Sequence, residues 1–71
     1  MMGIQAIKIN DIEEVVIDDR VLIMSTSSQH LNGKEGRIKQ INVGKFGAEL
    51  FIGLDDGEST WIDVDNVILI N

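Results

Sequence analysis

Apolar positions along this chain fall into short runs that alternate with polar ones, and glycine or Asx-rich turns separate the runs. Ile7-Lys8-Ile9 alternates as a strand does, and Asn10-Asp11 reads as a turn. Ile12 to Ile17 contains Val15-Val16-Ile17, a poor helix sequence, and predicts a second extended stretch. The alternative is a helical turn through Asp11-Ile12-Glu13-Glu14, capped by Asn10 or Asp11. Arg20 to Met24 is a strand, and Ser25 to Asn32 a polar loop. Gly33-Lys34-Glu35-Gly36 is a tight turn. Arg37 to Val43 is the next strand. Its apolar positions change face between Ile38 and Ile41, which predicts a bulge near Gln40. Gly44-Lys45-Phe46-Gly47 forms a hairpin tip, and Ala48 to Leu54 places Leu50, Ile52 and Leu54 on one face. Asp55-Asp56-Gly57 is a turn, Ser59 to Asp63 a strand, Val64-Asp65-Asn66 a 3₁₀ turn, and Val67 to Ile70 the last strand.

Short strands at this spacing predict a small all-β barrel or sandwich. At 71 residues there is room for one domain, and a barrel is preferred because closure leaves few edges to protect. The chain divides into an N-terminal extension, 1–17, packing on a five-stranded barrel, 18–71.

From Asp18 onward the chain resembles the KOW/SH3-like family, over about three quarters of its length. Asp18-Asp19-Arg20-Val21-Leu22-Ile23 is similar to the family's opening strand, G-D-x-V-x-V. Leu31 to Ile38, with Gly33 and Gly36, is similar to its G-x-x-G-x-V turn. Leu54-Asp55-Asp56-Gly57, Trp61-Ile62 and Val67 resemble its later strands. Asp18 stands where the family often has glycine, and Ser25–Asn32 lacks the glycine that commonly follows the opening strand. The resemblance implies an SH3-like barrel of KOW type that binds RNA or protein rather than catalyses. Independently of it, Gly36 precedes core-facing Ile38 by two residues, where a side chain would meet the facing strand.

The same alternation exposes a second apolar face. With Val21 and Ile23 inward, Leu22 and Met24 point out. Phe51 opposes Leu50 and Ile52, and Ile68 and Ile70 oppose Val67 and Leu69. A free barrel alternates apolar with polar, so something is expected to cover this face. The N-terminal segment, through Ile4, Ile7, Ile9 and Ile12, is the nearest cover; a second copy or a larger partner is the rival. Trp61 and Ile62 cannot both point inward. With Ile62 in the core, Trp61 is exposed and becomes a natural docking anchor. Trp61, Phe51, Leu22, Met24 and Ile68 are therefore the candidate protein-binding residues.

Charge ranks the partners. The net charge is −6, which disfavours generic phosphate-backbone binding. Residues 34–45 carry Lys34, Arg37, Lys39 and Lys45 against Glu35, whereas residues 46–71 hold six acids and no Lys or Arg. The basic residues, with Phe46 at the hairpin tip, are the candidate nucleic-acid site. The carboxylates of residues 49–65 suggest a third reading, an acidic mimic of nucleic acid. Catalysis is not expected. The chain has no cysteine, and its single histidine, His30, stands in a polar loop beside Ser27 and Ser28 without an orienting third group. Asp55, Asp56 and Glu58 around Gly57 suit a hard cation in kind, but an Asp-Gly turn needs no metal, and no cofactor or small-molecule substrate is expected. No signal-peptide pattern opens the sequence and no apolar run approaches the ~20 residues of a membrane helix, so a cytoplasmic protein is expected. The leading expectation is a non-enzymatic module that docks on a protein, or on itself.

Overall fold

The computed structural model describes residues 6–10 and 12–70, and every regular element among them is a strand except one 3₁₀ turn. β1 (Ala6–Lys8) and β2 (Glu14–Val16) pair antiparallel as a separate hairpin. Asn10 builds the turn between them. Its Oδ1 accepts the N–H of Ile12 at 2.7 Å and of Glu13 at 2.8 Å, the local bonding that makes Asn a turn former. Glu14–Val16 is extended, as its β-branched residues predict. The cap expected of Asn10 serves a hairpin turn instead of a helical one, and Asp11 and Ile4 lie outside the described residues.

The second sheet contains β3 (Arg20–Ile23), β4 (Glu35–Gly44), β5 (Gly47–Leu54), β6 (Ser59–Asp63) and β7 (Val67–Leu69). Its order is β6-β5-β4-β3-β7, with every pairing antiparallel. Three hairpin-connected pairings form a meander, and the last strand returns beside the first. Val64–Asn66 is the 3₁₀ turn that redirects the chain, and Met24 N–H donates to the Asn66 carbonyl at 2.7 Å to seat β7 on β3. Because the turn carries β7 away from β6, no pairing joins these two strands among the described residues. The fold is all-β, and its hydrogen-bonded ladder is open rather than closed.

One face of the sheet supplies the core. Val21 and Ile23 from β3, Ile38 and Ile41 from β4, Leu50, Ile52 and Leu54 from β5, Ile62 from β6 and Val67 from β7 all pack in a single cluster. The β1–β2 hairpin adds Ile9 and Val15 to that cluster, with Ile7 and Ile17 packed against it. Val15 has no exposed surface at all. These four residues share one face of the hairpin, so they go to the core together. The expected use of this segment as a cover for the outer face is thereby corrected: Ile9 is a core residue, and Ile12, at the hairpin tip, is 91% exposed. Leu31 reaches the core from the loop after β3. That loop is organised by buried Ser25, whose N–H donates to Asn32 Oδ1 at 2.9 Å and whose Oγ accepts the Ser28 N–H at 3.1 Å.

Two backbone features follow from the sequence. The ladder between β4 and β5 shifts register between Ile38 and Gln40, which is the bulge expected there, and it returns Ile41 to the inner face. At Gly36 a Cβ would strike the Gly53 carbonyl oxygen and lie 2.9 Å from Leu54 Cα, so only glycine lets β4 approach β5 this closely. The turn glycine before it, Gly33, has φ +87°.

Candidate functional site

With Ile62 buried, strand alternation turns Trp61 outward, and it is 44% exposed. Phe51 lies directly across from it on β5. The two rings are 5.1 Å apart between centroids and tilted by 40°, a favourable aromatic pairing. Phe51 is half-buried beneath its partner, and Gln40 continues the same row on β4. This pair sits at the β6 end of the sheet. The next row toward the β4–β5 hairpin tip is polar: Asn42 on β4, Glu49 on β5 and Asp63 on β6. Asn42, Glu49 and Asp63, with Lys45 and Phe46 from the tip, line a shallow hollow beside the aromatic pair.

The other candidate docking residues form a second patch at the opposite edge. Leu22 on β3 pairs with Ile68 on β7, and Met24 follows just beyond β3. Ile68 is 40% exposed, Met24 is exposed and Leu22 is half-buried. β4 separates the two patches, because its outward positions are Glu35, Arg37, Gln40 and Asn42, with exposed Lys39 beside Gln40 at the bulge. The single apolar face suggested by strand alternation is therefore two small patches divided by a polar strand. Alternation within each strand is visible in sequence; the polar strand between them is not, because strand order is tertiary information.

The basic residues are strung along β4 rather than gathered. Lys34 precedes β4 and Lys45 follows it, so the two stand at opposite ends of a ten-residue strand. Lys34 is engaged in an ion pair with Asp56. The Lys39 side chain lies over Gly53. Phe46 is fully exposed at the hairpin tip beside Lys45. Arg20, which stands outside the charge clusters visible in the sequence, is the best-connected cation. Its Nη2 is 2.7 Å from Asp55 Oδ2 and 3.0 Å from Glu35 Oε1, and its Nη1 is 3.2 Å from Asp55 Oδ1. The hydrogen bond from Arg20, together with its charge, holds the Asp55 carboxyl below its ordinary range. Lys34 and the Glu58 N–H do the same for Asp56. No local sequence signal announces this network: the β3–β4 ladder sets Arg20 opposite Arg37 and Glu35 opposite Leu22, and the turn that brings in Asp55 is distant in the chain.

The Asp55-Asp56-Gly57 turn thus commits two of its carboxylates to the chain's own cations, and Gly57 takes φ +96° to close it. No group of three or more His, Cys, Asp or Glu side chains is placed to hold a metal ion among the described residues. His30 is exposed, and the hydroxyls of Ser25 and Ser27 lie 3.3 Å from each other.

Comparison with protein-family models, with curated proteins and with solved structures finds no match for this chain.

Proposed function

We propose that this protein is a non-enzymatic binding module of SH3-like, KOW-type architecture that docks on a protein partner through the outer face around Trp61. The observation that carries the reading is the outward Phe51–Trp61 pair on the edge strand β6 and its neighbour β5. A half-exposed tryptophan supported from below by a second ring is the kind of rigid anchor that dominates protein interfaces. The SH3-like assignment is supported by the four-stranded meander β3 to β6, by the return of β7 beside β3 through a 3₁₀ turn, and by the convergence of both end strands on one core cluster. A photo-crosslinking residue placed at Gln40, beside the aromatic pair, tests the reading in cell extract with and without nuclease. The expected product is one protein adduct of fixed stoichiometry that survives nuclease and is lost in Trp61→Ala. Adducts that vanish on nuclease treatment would move the assignment to nucleic-acid binding, for which Arg37, Lys39, Lys45 and Phe46 supply the less concentrated alternative surface.

A further inference from the structure

We propose that the open edge of β6 accepts an extended, basic segment of a partner protein as an additional strand, with Trp61 and Phe51 beneath its central side chain. The inference rests on the protein-docking reading above and specifies the chemistry of the partner.

The direction of the main-chain groups follows from the turn. Leu54 N–H donates to the Glu58 carbonyl at 2.7 Å, so that carbonyl faces β5. Alternation along an antiparallel ladder turns Thr60 and Ile62 the same way and leaves the N–H and C=O groups of Ser59, Trp61 and Asp63 on the open side. Apart from the Asp63 carbonyl, which caps the following 3₁₀ turn, these groups have no main-chain partner among the described residues; the Trp61 carbonyl accepts only the Thr60 hydroxyl, at 3.3 Å. Exposed edges are ordinarily protected by lysine, proline or a bulge. β6, Ser-Thr-Trp-Ile-Asp, has none of the three, and its one charge is the Asp63 carboxylate. An unprotected edge of this kind is a template for strand addition.

Charge selects the occupant. The same alternation makes Phe51–Trp61 and Glu49–Asp63 the close, non-hydrogen-bonded pairs of the β5–β6 ladder. Two carboxylates facing each other at that spacing repel. Lys45 lines the hollow beside them, yet no cation of the chain makes an ion pair with either among the described residues. A lysine or arginine from an added strand relieves this repulsion. A second copy of the chain would bring another −6 of net charge to the same edge, and a nucleic acid would bring phosphates to Glu49 and Asp63. An extended basic peptide satisfies the edge, the aromatic pair and the carboxylates at once.

The test uses the full chain and a synthetic peptide of alternating arginine and valine, about seven residues long, followed by amide and indole NMR shifts and by calorimetry. Three comparisons accompany it: a glutamate–valine peptide, an arginine–valine peptide N-methylated at alternate positions, and the variant Glu49→Gln/Asp63→Asn. The expected shifts centre on Ser59, Trp61 and Asp63, and each comparison weakens binding by about tenfold or more. The double variant is expected to unfold at the same temperature as the parent or higher, since it relieves a repulsion. Binding that survives N-methylation or the double variant overturns strand addition by a basic segment while leaving docking at Trp61 intact. So does an absence of peptide binding alongside a Trp61-dependent crosslink. Self-association of the free chain with shifts along β6 would assign the edge to a second copy. Competition by RNA, with shifts at Lys39 and Lys45, would overturn both this inference and the protein-docking reading.

Discussion

Gly36 shows how one missing side chain fixes a strand crossing. Its virtual Cβ lies 2.8 Å from Ile52 Cγ2 and 2.9 Å from Leu54 Cα, besides the Gly53 carbonyl. Backbone cannot step aside as a flexible side chain can. Gly36→Ala is therefore expected to cost about 2–3 kcal/mol, through overpacking, and chemical denaturation will read it as a lower midpoint at unchanged slope. Asp18 shows the opposite case. It is the one non-glycine residue with positive φ among those described, at +78°, in the turn where Asp19 N–H donates to the Val16 carbonyl at 3.1 Å. Aspartate is among the few residues besides glycine that tolerate this region. Asp18→Gly is expected to leave the melting temperature unchanged or raised. Asp18→Val is expected to cost about 1–2 kcal/mol, because a β-branched side chain is forced into the left-handed region. Equal melting temperatures for the two variants would contradict this account.

At the scale of elements, the β1–β2 hairpin is a structural part of the core and not a decoration on it. Val15 is fully buried in the same cluster as Ile23 and Leu50. Val15→Ala is expected to destabilise the whole domain by about 1–3 kcal/mol, with the hairpin and sheet unfolding in one transition. A separate early transition for the hairpin, seen by amide exchange, would show that it is only loosely attached. β5 and β6 behave differently. Trp61 contributes its cross-strand contact with Phe51 but little core volume, so Trp61→Ala is expected to cost only about 0.5–1.5 kcal/mol while removing partner capture. That separation between stability and binding is the mark of a docking residue.

Across the whole molecule, two ion-pair groups tie the Asp55-Asp56-Gly57 turn to the start of β3 and to the Gly33 turn. Asp55 and Asp56 both titrate below their ordinary value of 3.8 in the folded chain, chiefly because of hydrogen bonds from Arg20 and Lys34 respectively. A group whose folded pKa is depressed contributes stability above its unfolded pKa and loses it as pH falls through the folded value. Lys34, raised above 10.5 by its hydrogen bond to Asp56, contributes below that value and loses its share as pH rises beyond it. The melting temperature is therefore expected to hold between these limits and to fall on both sides. Arg20→Gln should flatten the acid limb. Added salt should shrink both limbs, since the pairs are exposed and screened. An acid limb identical in Arg20→Gln and parent would remove Arg20 from the explanation.

Much of this architecture is legible in the amino-acid sequence itself. The strands from β3 to β7, the 3₁₀ turn, the bulge near Gln40 and the close approach at Gly36 follow from alternation, turn chemistry and the absence of a Cβ, all of which act over a few residues. The outward direction of Trp61 follows once Ile62 is inward, but which of the two is buried depends on where the sheet curves. Strand order, the open ladder, the division of the outer apolar residues into two patches and the burial of Ile9 and Val15 in the core were decided only by tertiary structure. The reason is physical. Alternation says that a residue faces one side or the other, whereas the identity of its cross-strand neighbours is set by pairings between segments distant in the chain. The short runs of apolar and polar positions determined that this chain forms strands; packing determined which of their two faces became a core and which was left outside.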